Sequence, residues 1–133
     1  GISYNNKKTK NYLIIGDVSL FHDINAFHIL NGENIDLTII AINNKGGQIF
    51  SRLPYSNNNI KEFQKFWITP PFTKIKDLAT LYKLKYYNLK INEFDKSLKR
   101  ISNIKGIKLI EVHVNSENDI KIVKELNKKI NLI

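Results

Sequence analysis

The sequence predicts an α/β fold, with a mostly parallel sheet flanked by helices. Three short apolar runs have the length and the β-branched content of buried strands: NYLIIGD (11–17), IDLTIIAIN (35–43) and IKLIEVHV (107–114). Stretches with apolar residues at helical spacing separate them, and alternation of strands and helices is typical of this class. In such a sheet, ligands bind beyond the carboxyl ends of the strands.

The rest of the chain is predicted to supply a fourth strand and four helices. One helix covers 19–32 and ends at a cap formed by Asn31 and Gly32. A long irregular stretch then runs from 43 to about 73, and loops of that length are usually functional or carry short helices of their own. The remaining elements are a helix over 73–84, a strand over 85–89, a helix over 92–103 capped by Asn92, and a helix over 116–130 capped by Ser116.

Length and composition exclude several classes of protein. A chain of 133 residues with 42% apolar residues suits one domain with a packed core. The absence of cysteine excludes a disulfide framework, a thiolate zinc site and a cysteine nucleophile. No apolar run reaches the roughly 20 residues of a membrane span, and the first ten residues lack the apolar region of a secretory signal.

The net charge of +9 favours a solvated basic surface over a nucleic-acid interface. Lysine supplies 19 of the 21 basic residues and is scattered along the chain. Arginine, whose planar fork suits phosphates and base edges, occurs only twice. We therefore expect no nucleic-acid partner, and at most a weak association that salt abolishes.

Polar residues follow two of the predicted strands, and they indicate a metal and diphosphate site. Asp17 ends the first strand and Asn44 follows the second, 27 residues later, which is about the length of one strand–helix–strand crossover. A carboxylate and an amide oxygen are hard ligands that suit Mg²⁺. Gly46 and Gly47 permit close approach of the backbone to a ligand. The helix that begins after Asp17, with Ser19 near its start, favours a phosphate at the same edge.

Each of these features has a simpler interpretation when taken alone. Asp17 is also a common type of helix cap, and Asn43 and Asn44 are common turn residues. His22, at the start of the first helix, is more typical of an exposed or structural histidine, because no second ligand is paired with it. The pairing of the two polar motifs at strand ends is what favours the functional interpretation.

The sequence resembles a known family in these same motifs. GD at 16–17 followed by NN at 43–44 is similar to the thiamine-diphosphate motif GDG…NN, with Val18 in place of the last glycine. The strings GDVSLFHDINAF, NNKGGQIFSRLP, TPPFTKIKDLATLYKLKYY and LIEVHV resemble the C-terminal part of the 2-succinyl-5-enolpyruvyl-6-hydroxy-3-cyclohexene-1-carboxylate synthases (MenD) of menaquinone and phylloquinone biosynthesis. The resemblance runs from about residue 12 to 114. Sequences of this family carry an aliphatic residue in place of the last glycine of the general motif, so Val18 supports the assignment to this family rather than to thiamine-diphosphate enzymes in general.

The resemblance implies a role for each residue of the motifs. Asp17, Asn44 and the Gly46 carbonyl would bind Mg²⁺ or Mn²⁺. The cofactor thiamine diphosphate would be held by residues that surround its diphosphate and ring: Gly16, Asp17, Val18, Ser19, Asn44, Gly46, Gly47, Gln48 and Ile49. The substrate cavity would be lined by Gln48, Ile49, Phe50 and Leu53, and an apolar wall there would exclude water. Arg52 is more typical of a surface residue than of a group that grips substrate.

The resemblance also implies a thiamine-diphosphate-binding fold and a transferase activity. The family decarboxylates 2-oxoglutarate and adds the resulting succinyl carbanion to isochorismate, in a homo-oligomer (dimer or tetramer) whose active site is shared between subunits. On this basis residues 1–133 are expected to be one partial domain, the diphosphate-binding domain, incomplete at its N-terminus and without the pyrimidine-binding and central domains. The catalytic glutamate and the arginines that hold substrate carboxylates would lie outside it, so this piece alone is expected to be inactive.

Two further expectations concern location and alternatives. Residue usage typical of AT-rich coding, together with quinone synthesis, predicts either the plastid stroma or a bacterial cytoplasm. The alternative functions are another thiamine-diphosphate-dependent decarboxylase or synthase, and a non-catalytic α/β module that has lost its site.

Overall fold

The computed structural model describes residues 2–5, 9–30, 33–53, 56, 60 and 62–130, and every structural statement below concerns these residues. Four strands are present: β1 (Asn11–Gly16), β2 (Leu37–Asn43), β3 (Lys85–Leu89) and β4 (Ile107–His113). The α-helices are α1 (Ile2–Asn5), α2 (Asp17–His22), α3 (Ala26–Leu30), α4 (Ile75–Leu81), α5 (Phe94–Ile101) and α6 (Ser116–Ile130). Among the described residues, no helix combines the length and the apolar character needed to cross a membrane.

The four strands form one parallel sheet in the order β1-β2-β4-β3. Strand β2 lies in the middle, with Ile40 opposite Ile14 of β1 on one side and Ile110 of β4 on the other. Its first five residues, 37–41, are all buried, as expected for a strand covered on both faces. The predicted α/β class with a parallel sheet is therefore confirmed.

Helices cover both faces of the sheet and create two cores. The larger core joins the sheet to α2, α3 and α4, and contains Leu20, Phe27, Ile35, Leu37, Ile39, Ala41, Ile75, Leu78, Ala79, Tyr82 and Leu109. The smaller core lies on the opposite face and contains Ile40, Leu89, Ile101, Ile110 and Val112. The alternation of Ile39 and Ile40 between the two cores follows from the two-residue repeat of a strand.

Strand β1 differs from the prediction of a buried strand. It lies at one edge of the described sheet, and Tyr12, Leu13 and Ile14 are 48%, 41% and 71% exposed. The apolar run correctly predicted a strand, but an apolar pattern does not distinguish a central strand from an edge strand. The exposure follows from the position of β1 in the strand order.

The helix predicted over 19–32 is two short helices in the structure. Helix α2 ends at His22, a turn covers 23–25, and α3 begins at Ala26. Leu20 and Phe27 still reach the same core, which explains why their spacing suggested one continuous helix. The predicted cap at Asn31 and Gly32 lies outside the described residues.

Two predicted caps are also replaced by other arrangements. The side-chain oxygen of Asn115, not Ser116, accepts the hydrogen bond that caps α6, from the N–H of Asn118 at 3.1 Å. Asn92 lies within a 3₁₀ turn (Ile91–Glu93) that leads directly into α5. Asn115 and Ser116 are adjacent residues that can both cap a helix, and Asn92 is followed by a second polar residue, Glu93. The sequence pattern therefore could not assign either helix start to a single residue.

The described part of the long stretch between β2 and α4 is partly helical. A 3₁₀ turn covers Gln48–Arg52 and a π-helical turn covers Gln64–Ile68. Trp67 lies between Phe50 and Phe63, with ring centroids 5.6 and 6.1 Å away. This aromatic contact holds the two turns together, as expected for a long loop that carries short helices.

Candidate functional site

The candidate site lies at the carboxyl edge of the sheet, where β1 and β2 end side by side. Gly16, the last residue of β1, is paired in register with Ile42 of β2. Asp17, the first residue of α2, directly follows Gly16, and Asn44 directly follows Asn43, the last residue of β2. Parallel pairing therefore brings Asp17 and Asn44 to the same edge, as the crossover length predicted.

Asp17 is a buried carboxylate with both oxygens engaged. It is only 2% exposed. Its Oδ1 accepts the N–H of Val18 at 2.9 Å, and its Oδ2 accepts the N–H of Gly46 at 2.8 Å. A buried carboxylate needs such partners. The bond to Gly46 spans 29 residues and ties the loop after β2 to the start of α2, which a simple helix cap does not do.

Asn44 points its side-chain amide at two oxygens of the site. One terminal atom of that amide lies 3.3 Å from Asp17 Oδ1 and 2.8 Å from the carbonyl oxygen of Gly46. With nitrogen in this place, the amide donates to both oxygens. With oxygen in this place, three oxygens face one another, and only a cation between them offsets their repulsion. The arrangement thus has a hydrogen-bonded form and a form suited to a cation.

The loop that carries these groups has an unusual backbone. Lys45 and Gly46 have φ angles of 64° and 114°, both in the left-handed region that favours glycine. A Cβ atom on Gly46 would lie 2.4 Å from the carbonyl oxygen of Ile68, so a larger residue does not fit. The same carbonyl accepts the N–H of Gly47 at 2.6 Å. The π-helical turn therefore packs against the loop at Gly46 and is hydrogen-bonded to it at Gly47.

The donor set at this edge fits a hard divalent cation. It offers one carboxylate, one amide and one carbonyl oxygen, which are the ligand types that Mg²⁺ and Mn²⁺ accept. The described residues contain no group of three or more His, Cys, Asp and Glu side chains that would hold a metal. Apart from the Asp17 carboxylate, the protein oxygens that could coordinate a cation here are neutral. The remaining coordination positions would be filled by a bound small molecule or by water.

The other residues predicted to contact a cofactor surround this edge. Gly16 and Ser19 are exposed, and no atom lies within 4 Å of the position that a Cβ on Gly16 would take. This open space leaves room for a bulky group. The N–H of Val18, in contrast, already donates to Asp17, so in this structure it is not available to a phosphate.

Three of the predicted cavity-lining residues lie on the 3₁₀ turn after the loop, and Leu53 directly follows it. Ile49 is 70% exposed, and Phe50 is 37% exposed and packs edge-on against Trp67. Gln48 is held by the hydroxyl of Ser51, which donates to its Oε1 at 2.9 Å, and Leu53 is half-buried. Apolar side chains thus stand exposed beside the polar edge.

Arg52 and His22 have the surface positions that the sequence favoured. Arg52 forms an exposed ion pair with Asp119 at 2.6 Å. His22 is exposed at the end of α2.

A second polar cluster adjoins the site and was not recognised in the sequence. Glu111 of β4 is 5% exposed, and its two oxygens accept the Asn43 side-chain N–H at 2.6 Å and the Tyr86 hydroxyl. His113 lies 3.3 Å from Glu111 Oε1. A cavity of about 450 Å³ is lined by both Asp17 and Glu111. The sequence signal that could have identified this cluster is the charged Glu111 within the apolar run LIEV (109–112).

The hydroxyl of Tyr86 is expected to resist deprotonation. Burial, the hydrogen bond to Glu111 and the negative charge of Glu111 raise the pKa of Tyr86 well above its usual range. Because the folded-state pKa is the higher one, Tyr86 stabilises the fold below about pH 10 and loses this contribution as pH rises further. The free energy of unfolding of the wild type should therefore fall more steeply above about pH 10 than that of Tyr86→Phe. Equal slopes in urea titrations would contradict the pKa shift.

Comparison with curated proteins finds enzymes that are similar to this chain. The 2-succinyl-5-enolpyruvyl-6-hydroxy-3-cyclohexene-1-carboxylate synthase of Desulfitobacterium hafniense is 33% identical over 119 residues, which cover 89% of this chain and 20% of the synthase. The synthase of Prochlorococcus marinus is 31% identical over 119 residues, and that of Leuconostoc mesenteroides is 40% identical over 86 residues. This chain is a part-length relative of these synthases. The resemblance predicted from the sequence is thereby confirmed.

The extent of the match and the fold agree with this relationship. The chain spans about a fifth of the length of the curated synthases it matches. No family model matches it. Among solved structures, benzoylformate decarboxylase from Polynucleobacter necessarius superimposes with a TM-score of 0.66 at 14% identity, over 84% of this chain and 21% of the decarboxylase. At that identity the likeness shows a shared fold.

Proposed function

We propose that this chain forms the Mg²⁺- and diphosphate-binding part of a thiamine-diphosphate-dependent synthase. The observation that supports the proposal is the convergence of Asp17 Oδ1, the Asn44 side-chain amide and the Gly46 carbonyl at one edge of the sheet. In the form suited to a cation, the Asn44 amide oxygen faces the other two oxygens. Mg²⁺ or Mn²⁺ would then be held by these three groups, with the diphosphate of the cofactor completing the coordination.

The surrounding residues would bind the rest of the cofactor. The open space at Gly16 and the exposed hydroxyl of Ser19 suit the diphosphate. Thiamine diphosphate, when bound, supplies the electron sink for decarboxylation. The chain itself would orient it and, through Ile49 and Phe50, keep water from the reacting ring. Gln48 and Leu53 would complete this wall.

The relationship to the synthases supports a specific reaction for the whole protein. We propose that it decarboxylates 2-oxoglutarate and transfers the succinyl unit to isochorismate, in menaquinone or phylloquinone biosynthesis. Residues 1–133 would be the C-terminal diphosphate-binding portion of a homo-oligomer that shares its active site between subunits. It would act in a bacterial cytoplasm or in the plastid stroma. The residues that complete the reaction, a glutamate and substrate-binding arginines, would come from other parts of the assembly.

Calorimetric titration with Mg²⁺ and thiamine diphosphate tests the metal site. We expect Asp17→Asn and Asn44→Ala each to weaken binding by about a hundredfold or more, because each removes a ligand from a site with few charges. Asp23→Asn is the matched control, because Asp23 is an exposed carboxylate just after α2. Its affinity should equal that of the wild type. No binding by the wild type, or equal binding by all four proteins, would refute the proposed site.

The reaction requires a separate assay. A full-length protein that carries this sequence should consume 2-oxoglutarate only when isochorismate is also present, and it should not turn over pyruvate. Turnover of pyruvate alone would favour another thiamine-diphosphate-dependent decarboxylase or synthase. Cofactor binding without either reaction would favour a module that has lost its catalytic function.

A further inference from the structure

The cluster centred on Glu111 has no role in the function proposed above, although it adjoins the candidate metal loop. Glu111 is a carboxylate in the central part of the sheet and is 5% exposed. A side chain of this kind is costly to bury and is retained only where its oxygens are paired. Here the two oxygens have different partners. Oε1 accepts from Asn43 and lies 3.3 Å from His113 Nε2, and Oε2 accepts from the hydroxyl of Tyr86.

Asn43 is the residue that connects Glu111 to the loop. It ends β2 and directly precedes Asn44. Its Nδ2 donates to Glu111 Oε1 at 2.6 Å, and its Oδ1 accepts the N–H of Lys45 at 3.1 Å. Its carbonyl oxygen accepts the N–H of Val114 at 3.0 Å. Three hydrogen bonds therefore fix this one residue.

The charge on Glu111 determines which way the Asn43 amide faces. An ionised carboxylate only accepts hydrogen bonds, so the nitrogen of the amide must face Glu111. Its oxygen is then left to face the N–H of Lys45. The opposite orientation would place two acceptors against each other at Glu111 and two donors against each other at Lys45.

The loop needs such an anchor because its backbone is in an unfavourable region. Lys45 has a φ angle of 64°, which a residue with a Cβ rarely adopts without support. The bond from Lys45 N–H to Asn43 Oδ1 closes a side-chain turn over this residue. The next peptide carries the Gly46 N–H to Asp17 Oδ2. The hydrogen bond at Lys45 thus fixes the orientation of the backbone that presents Gly46 to Asp17.

We infer that Glu111 is a positioning residue for the metal-binding loop, acting through Asn43. The inference deepens the proposed function and rests on it for the connection to the metal. Glu111 holds the Asn43 amide in the orientation that supports Lys45, and this places Asn44 and the Gly46 carbonyl toward Asp17. Tyr86 bonds the other oxygen of the same carboxylate and belongs to the sheet rather than to the loop.

Three substitutions separate positioning from general stability. Glu111→Leu removes the acceptor for Asn43 and replaces the carboxylate by an apolar side chain of similar size. Glu111→Gln keeps that acceptor, because its amide oxygen can face Asn43 and its nitrogen can donate to the Tyr86 oxygen. Tyr86→Phe removes a hydrogen bond from the same carboxylate and leaves the bond to Asn43 in place. It is the matched control.

The first measurement is amide hydrogen exchange by NMR in the chain without cofactor. Glu111→Leu should speed exchange of the Gly46 N–H by about tenfold or more relative to Tyr86→Phe, since it releases a hydrogen bond to a charged group. Glu111→Gln should stay near the wild type. The Leu109 amide, in the middle of β4, is the internal reference for global stability. Equal exchange of Gly46 in Glu111→Leu and Tyr86→Phe would overturn the inference.

The second measurement is the affinity for Mg²⁺ with thiamine diphosphate. It should fall about tenfold to a hundredfold in Glu111→Leu, the usual effect of removing a residue that orients a metal ligand. It should be restored in Glu111→Gln and unchanged in Tyr86→Phe. Unchanged affinity in Glu111→Leu would overturn the link to the metal. If the wild type binds nothing, the proposed function fails, whereas the exchange experiment still decides whether Glu111 positions the loop.

Discussion

Replacing Gly46 by alanine is expected to destabilise the protein by about 3 kcal/mol and to abolish binding of Mg²⁺ with thiamine diphosphate. The added Cβ would lie 2.4 Å from the Ile68 carbonyl oxygen, in a residue whose φ angle is 114°. Neither problem can be relieved locally, because the obstructing atom belongs to the backbone. Either the loop or the π-helical turn must move, and the two are linked by the hydrogen bond from the Gly47 N–H to the Ile68 carbonyl oxygen, so we expect the Gly46 carbonyl to be displaced. Urea denaturation and calorimetry measure the two effects.

Two other glycines at the same edge serve as controls for this experiment. A Cβ on Gly16 meets no atom within 4 Å, so Gly16→Ala should change the free energy of unfolding by less than about 0.5 kcal/mol. A Cβ on Gly47 would lie 3.3 Å from the Trp67 carbonyl oxygen and should give an intermediate loss. If all three variants unfold at the same urea concentration, the backbone of the loop is not constrained as described.

The second large effect is expected at the opposite end of the sheet, in a buried ion pair. Lys108 of β4 is 1% exposed, and its ammonium group donates to Asp36 and to the Ile104 carbonyl oxygen, the latter at 2.8 Å. Lys108→Met keeps most of the side-chain volume and leaves the Asp36 carboxylate without this partner. We expect the free energy of unfolding to fall by about 3 kcal/mol, as for other broken buried pairs.

A nearby lysine and a double substitution identify the cause of that loss. Lys105 also approaches Asp36, at 4.0 Å, but its side chain is 92% exposed. Lys105→Met should therefore have no measurable effect on urea denaturation. Adding Asp36→Asn to Lys108→Met should recover at least half of the loss, because the unpaired charge is then removed. A double variant as unstable as Lys108→Met would show that lost packing, not the unpaired carboxylate, was responsible.

The parts of the fold that were predicted correctly depend on local pattern. Strands β2 and β4 are rich in apolar and β-branched residues, and α6 was predicted over the stretch that it occupies, Ser116–Ile130, although its cap lies one residue earlier, at Asn115. The break between α2 and α3 was missed because Leu20 and Phe27 contact the same core on both sides of it. The exposure of β1 was missed because strand order is decided by long-range pairing.

The residues of the candidate site that could be predicted are those that closely follow a strand and have side chains or backbones suited to binding a metal. Asp17, Asn44 and Gly46 were found from their residue types and spacing, and the structure brings them together. The contribution of Glu111 was not found, because its bond to Asn43 spans 68 residues and no local pattern reports it. The same holds for Ile68, whose carbonyl oxygen limits Gly46 through the fold alone.

The strand order has a kinetic consequence. Strand β2 pairs with β1 and with β4, and the latter partner lies about 70 residues away in the chain, as the pairing of Leu37 with Ile107 shows. Chains dominated by such distant contacts fold slowly, because loops must close before pairing stabilises them. The loop after β2 acquires its anchor on Glu111 only once β4 has joined the sheet. A ligand at this edge should therefore slow unfolding without accelerating folding.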